Sequence, residues 1–454
     1  MARARTPTSA LSEKPDQPRL AAYDLLRGVA EQQAYANLLL PSLLADRGLS
    51  GRDAAFATEL GYGTLRALGT LDEIVAACID RPLSGVDGPV LDVLRLGAYQ
   101  ALRTRIPPHA AVATTVDLAR ATRNVRAAGF VNAVLRRVAG STWDAWCARL
   151  TAGATPLRRL AVRTAHPEWI AAAFADALEE GDAGGWAEVE AALVADDTRP
   201  QTHLVAWPGL VERGVLVDES GGAPGPWSPY AVRLEGGDPA ALASVRHRQA
   251  AVQDEGSQLC ALALANAPIE GRDERWLDLC AGPGGKTALL AGLAASRGAR
   301  VVANELHPHR AELVRRATVA WDVDVRVGDA RAMSDEGGFD RVLLDAPCTG
   351  LGALRRRPEA RWRRGPDDVG PLATLQGELL AAARRLVRPG GVVAYVTCSP
   401  HLAETRDIVA GAELLDARPV FPGVPQLGPG PTVQLWPHRH GTDAMFCALV
   451  RRHG

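Results

Sequence analysis

Lysine is nearly absent from this 454-residue chain: of its 51 basic residues only Lys14 and Lys286 are lysine. Such a skew follows genome base composition, but it marks a lysine kept inside the folded region as one that arginine will not replace. Net charge is equally small, since 51 basic against 52 acidic residues leave −1. That balance excludes a uniformly basic nucleic-acid coat and allows a local basic patch. No apolar run approaches the roughly 18 residues that mark a membrane helix, and the start, MARARTPTSALSEKPDQPR, has no apolar segment suited to secretion. The 7 cysteines are scattered, odd in number and without metal-ligand spacing. They imply neither a disulfide framework nor a metal site, and the expectation is a reducing, cytoplasmic setting.

What is present suits a multidomain globular chain, with 47% hydrophobic and 23% charged residues. Residues 1–18 are polar and unpatterned, which predicts a disordered tail. In 19–143, apolar residues recur at helical spacing: Leu20, Tyr23, Leu26 and Val29, then Leu91, Leu94, Ala98 and Leu102. Pro41, Pro82, Pro89 and Pro107-Pro108 punctuate these segments, and an all-α domain is expected. Residues 144–248 mix tryptophan-bearing helical runs with strand-like pieces such as Thr202–Ala206, and predict a small α/β module. From 249 onward, β-prone runs at Arg275–Leu279, Arg300–Asn304, Val323–Val327, Arg341–Leu344 and Val392–Val396 alternate with helical stretches. That rhythm predicts a parallel, Rossmann-like sheet covered by helices on both faces.

The segment Asp278-Leu279-Cys280-Ala281-Gly282-Pro283-Gly284-Gly285-Lys286-Thr287 follows the first of these strands and opens a helix. Glycines there allow a tight turn and close approach of a ligand to unpaired backbone N–H groups. Glu305 ends the next strand and is placed to hold ribose hydroxyls, while Asp329 ends the third. Together these strand ends describe a nucleoside crevice. A P-loop competes, because Gly285-Lys286-Thr287 resembles its end, but that pattern needs glycine where Cys280 stands. Two further cysteines fall at the tips of the fourth and fifth strands, in Asp345-Ala346-Pro347-Cys348-Thr349-Gly350 and Thr397-Cys398-Ser399-Pro400. A lone buried cysteine is usually a small hydrophobe. Two at neighbouring strand tips, beside a carboxylate and a nucleoside crevice, are candidates for nucleophilic chemistry.

These segments resemble those of the S-adenosylmethionine-dependent RNA cytosine-5 methyltransferases, as do Gln253-Asp254-Glu255-Gly256-Ser257 and Asp443-Ala444-Met445-Phe446. The helical domain is similar to the RNA-binding fold of the NusB antitermination factor, through Glu59–Arg66, Leu94–Gln100 and Gly129–Arg137. The pairing of these two domains resembles RsmB-type enzymes, which methylate small-subunit ribosomal RNA. The resemblance implies S-adenosylmethionine as cofactor, ribosomal RNA as partner, and methylation of cytosine C5 through a cysteine–C6 adduct. It implies that Cys398 is the nucleophile and Cys348 serves product release, a choice the residues alone leave open because Pro347-Cys348 also looks like the nucleophile pair of DNA cytosine methyltransferases. Asp345 would hold the cytosine edge. Cys280, Ala281, Gly282, Pro283, Gly284, Gly285 and Lys286 would wrap the cofactor's methionine part, with Glu305 on the ribose, Asp329 on the adenine side and Asp345 bordering the same crevice.

The pattern departs from the family in places. Glu305 stands for a usual aspartate, Gly282 for alanine, Thr349 for serine, and Glu404-Thr405 for Glu-Asn. The usual Leu-Arg-x-Asn strand is absent near Arg199-Pro200, which weakens the expectation that the small module contacts RNA. Between the cysteine motifs lie Arg355, Arg356, Arg357, Arg361, Trp362, Arg363 and Arg364, opposed only by Glu359. Arginines around an aromatic, next to Cys348, predict a grip on RNA phosphates and a stacked base. A non-catalytic RNA-binding factor and a nucleotide hydrolase are the alternatives. The first is opposed by the intact Cys348, Cys398 and Asp345, the second by Cys280.

Overall fold

The computed structural model describes residues 16–122, 124–179, 185–334 and 338–452. Most of the expected tail lies outside them, but its last residues are already helical. Gln17 and Pro18 open the first helix, whose Asp16 cap accepts the Arg19 N–H at 3.1 Å. The chain divides into two compact units: residues up to 168 together with 357–362, and the remainder.

The first unit is helical: α1 (Gln17–Gln32), α2 (Ala36–Asp46), α3 (Gly51–Ala76), α4 (Gly88–Arg103), α5 (Pro108–Ala121), α6 (Ala128–Val138), α7 (Trp143–Leu150) and α8 (Pro156–Arg163). The helical spacing buries Tyr23, Leu26, Val29, Leu94 and Ala98 in one core with Leu60, Leu71 and Leu135. Pro41 does not break a helix as expected; it lies inside α2. The helical unit also runs past the expected boundary at 143. Trp143 and Trp146 of α7 pack in its core, and their indole N–H groups donate to Arg163 O at 3.1 Å and Val138 O at 2.9 Å.

In the second unit, β1 (Thr202–Ala206), β2 (Ala223–Pro224), β3 (Ala231–Leu234) and β4 (Ala250–Val252) form an antiparallel sheet in the order β2-β3-β1-β4. Its last strand falls beyond the expected module end at 248 and leads directly into Gln253-Asp254-Glu255. The larger sheet contains β5 (Arg275–Asp278), β6 (Arg300–Glu305), β7 (Val323–Val327), β8 (Phe339–Asp345), β9 (Val387–Thr397), β10 (Leu414–Leu415), β11 (Val433–Gln434) and β12 (Phe446–Arg451). Its order is β10-β12-β9-β8-β5-β6-β7, with β11 beside β12. Strands β5 to β9 pair in parallel, and β12 runs antiparallel to β9.

Strand periodicity of two explains why both faces are apolar. Trp276, Leu343, Ala394, Val396 and Leu449 face a core shared with the helices Glu255–Asn266 and Gly285–Ala295. Leu277, Val342, Leu344, Val393 and Tyr395 face the helix Val369–Leu386. The order of strands reverses at β5, with β6 on one side and β8 on the other, so a crevice opens beyond their carboxyl ends.

Candidate active site

Register brings the cofactor motif and the first carboxylates together. Asp278 pairs with Ala303 on one side and Leu343 on the other. Two residues further along each chain put Cys280, Glu305 and Asp345 at one level of the edge. Asn304 fastens this edge, its amide donating to Leu279 O at 3.2 Å and Gly328 O at 3.1 Å. The turn then enters the helix at Gly284, whose φ of 108° lies in the left-handed region. A side chain there would also meet the backbone of Val314 at 2.9 Å.

Beneath the turn, Asp278 is buried and accepts the Thr287 hydroxyl at 2.7 Å. Burial raises its carboxyl to about 7. Burial likewise pushes the Cys280 thiol up, aided by the surrounding carboxylates. Glu305 accepts backbone N–H groups from Gly282 and His307, each at 3.0 Å. Asp329 is more open, and its hydrogen bonds with Arg331 hold its carboxyl down to about 2.

The retained lysine has a clear partner. Lys286 Nζ donates to Asp345 Oδ2 at 2.7 Å. Burial alone would lower the lysine's pKa, but the charge of Asp345 overrides it and the ammonium is strengthened, with Cys260 and Cys398 contributing. The Asp345 side chain remains 30% exposed, so it still faces the crevice with acceptor capacity.

Next along the edge, Asp345 pairs with Val396, and three residues on from one and two from the other stand Cys348 and Cys398. Their sulfurs are 3.4 Å apart and both side chains are half-buried. The hydrogen bond with Cys398, and then burial, hold the Cys348 thiol well above the usual thiol range. A polar scaffold fixes both loops from behind. Buried Glu404 accepts the Thr349 N–H at 2.7 Å, the Thr349 hydroxyl, and the Gln376 amide at 3.2 Å. Gln376 also donates to Pro347 O at 2.8 Å, and the Tyr395 hydroxyl donates to Glu404 O at 2.8 Å. Thr349 and Ser399, the residues after the two cysteines, meet through their hydroxyls at 3.3 Å.

The arginine segment requires a correction. Arg355 is buried and bonds Asp443 at 2.8 Å, while Arg356 spans Asp443 at 2.9 Å and Asp254 at 2.8 Å. These pairs tie the chain after Cys348 to the Gln253–Ser257 and Asp443–Phe446 motifs. Arg361 is fully buried in the helical unit, donating to Ala165 O at 2.9 Å, and the Trp362 indole donates to Arg66 O at 3.0 Å. A guanidinium without solvent access cannot meet a phosphate. Arg357 and Arg364 are exposed, the first over the Tyr35 ring at 5.8 Å and the second 3.7 Å from Asp368, and Arg363 is half-buried. Gln376, Tyr395 and Arg310, which donates to Gly282 O at 2.7 Å, were not anticipated. They sit on a helix face or mid-strand, where nothing in the sequence sets them apart.

The donor set suits one cofactor. A glycine turn, a buried carboxylate at Glu305 and a second, half-buried carboxylate at Asp329 stand at successive strand ends. The fold and this edge define an S-adenosylmethionine-dependent methyltransferase. Residues 264–451 match the family of 16S rRNA methyltransferases RsmB/F and 16–140 the NusB family, and the chain belongs to the RsmB/F family. A putative methyltransferase of Mycobacterium tuberculosis is 57% identical over 446 residues, spanning 96% of this chain and 97% of that protein. A probable ribosomal RNA small subunit methyltransferase B of Bacillus subtilis is 31% identical over 457 residues, spanning 95% and 98%. The crystal structure of PH0851 shares the fold, with a TM-score of 0.75 at 22% identity over 97% of this chain and 100% of that one. No helix among the described residues is long and apolar enough to cross a membrane, and no cluster among them has the makings of a metal site.

Proposed function

We propose that the protein methylates C5 of a cytosine in small-subunit ribosomal RNA through a transient bond from Cys398 to C6. The observation that carries this reading is the pair of sulfurs 3.4 Å apart beside an Asp345 already held by Lys286. Cytosine C5 is a weak nucleophile. Addition of the Cys398 sulfur to C6 moves the C5=C6 electron pair toward C5, with charge building at N3. An ammonium within electrostatic reach of Cys398 favours negative charge on that sulfur. Asp345, steadied by Lys286, accepts from the amino group on the cytosine edge and orients the ring, and the Lys286 ammonium beside it offsets the negative charge that develops.

Bound S-adenosylmethionine supplies an electrophilic methyl group. The turn Cys280–Lys286, Glu305 and Asp329 hold and orient it. Once C5 carries both methyl and hydrogen, the C5 proton leaves to water beside Cys348, whose thiol, held well above the usual range, keeps its own proton and orients that acceptor. The C6–sulfur bond then breaks, C5=C6 re-forms and Cys398 is regenerated. The target base must leave its stack to reach the sulfur, which favours a loop or single-stranded site. Exposed Arg357 of the helical unit and exposed Arg364 of the second unit supply phosphate contacts.

The test uses small-subunit RNA tritiated at cytosine C5. Methylation should release tritium to water in step with 5-methylcytidine in the nuclease digest. Methylation that leaves the tritium in place would overturn the C5 assignment.

A further inference from the structure

Two departures noted in the sequence meet at one contact. Gly282 N–H donates to Glu305 Oε2 at 3.0 Å, and Arg310 donates to Gly282 O at 2.7 Å while its Nε stands 3.8 Å from the same carboxylate oxygen. The peptide at 282 is therefore gripped on both sides. A Cβ at this position would overlap Glu305 Oε2 and lie 2.9 Å from Arg310 Nε. Gly282 does not have a positive φ, so its backbone imposes no demand for glycine. Only the neighbouring side chains exclude a larger residue.

We propose that Gly282 and Glu305 are a size-matched pair, in which the missing side chain at 282 is the room taken by the extra methylene of Glu305. The pair sets where the ribose-binding carboxylate stands and so acts as a specificity-determining element of the cofactor site. This rests on the proposed role of Glu305 at that site. The carboxylate is the tip of a side chain, so an added methyl group displaces it instead of unfolding the domain. Glu305 is almost wholly buried and held by two backbone N–H groups, which makes that displacement costly for ligand binding.

The experiment is a double-mutant cycle on the full chain, with S-adenosylhomocysteine affinity read by calorimetry and ligand-free melting measured alongside. Gly282→Ala should weaken binding about tenfold or more, and Glu305→Asp alone only a few-fold. The double variant Gly282→Ala/Glu305→Asp should bind nearly as well as Glu305→Asp, because the shorter carboxylate makes space for the methyl group. If Gly282→Ala fails to fold while the double variant folds and binds, the size match is supported equally. Losses that simply multiply in the double variant, or a Gly282→Ala protein that binds like the parent, would overturn the proposal. A parent protein that does not bind S-adenosylhomocysteine would overturn the cofactor-site reading and the proposal with it.

Discussion

The two halves of the sheet's carboxyl edge are built differently. Beyond β5 to β7, the carboxylates are carried on single strand ends and partnered by groups close in sequence or by turn backbone, and Asp329 is only half-buried. Beyond β8 and β9, polar side chains form a closed scaffold in which Thr349, Gln376, Tyr395, Ser399 and Glu404 are all buried and bonded to one another. An edge that a ligand completes can stay open. An edge where the chain's own atoms react must hold them in place before the substrate arrives.

The largest break in this comparison is chemical. Cys398→Ala should cut methyl transfer by at least about a thousandfold, as loss of a covalent nucleophile does, while S-adenosylhomocysteine affinity stays at the parent level in calorimetry. Next is the scaffold. Glu404→Ala strands the Thr349 N–H and hydroxyl and the Gln376 amide, which should destabilise the protein by about 2–3 kcal/mol in denaturant unfolding. Glu404→Gln, which keeps the acceptor oxygen, should recover a large part of that loss.

The cofactor half gives an effect of the opposite sign. A carboxyl raised from 3.8 to about 7 stabilises the fold while protonated, and that contribution is lost as pH rises through about 7. Asp278→Asn keeps an acceptor for Thr287 without the charge. It should stabilise the fold at pH 8 by an amount on the order of 2 kcal/mol in denaturant unfolding, and change little at pH 4. The smallest effect belongs to Asp329→Ala on the open edge, with a few-fold loss of S-adenosylhomocysteine affinity and an unchanged melting temperature.

Legibility in the sequence followed the same division. Strand rhythm, the glycine turn, Glu305, Asp329 and both cysteine motifs could be read because each is local: a turn chemistry or a strand end with a short signature. The strand runs at Arg275, Arg300, Val323, Arg341 and Val392 are all in the sheet. Interactions made by distant residues were not legible. Arg355, Arg356 and Arg361 look like a phosphate-gripping run, yet Asp254, Asp443 and the Ala165 carbonyl that occupy them lie at least 80 residues away in the chain. Gln376 and Tyr395 gave no sign, since a buried polar residue in a helix or strand declares itself only when its partner is known. The compact helical unit runs on past 143 for a related reason: the helices after it join its core once the indoles of Trp143 and Trp146 find Arg163 and Val138.

The central claim is that the sulfur of Cys398, and not that of Cys348, bonds to the substrate ring. RNA containing 5-fluorocytosine tests it most directly, because fluorine at C5 cannot leave as a proton and the adduct persists. With S-adenosylmethionine present, the parent protein and Cys348→Ala should both yield a denaturation-resistant RNA–protein band, and Cys398→Ala should yield none. A band retained by Cys398→Ala and lost in Cys348→Ala would contradict the account and exchange the two roles.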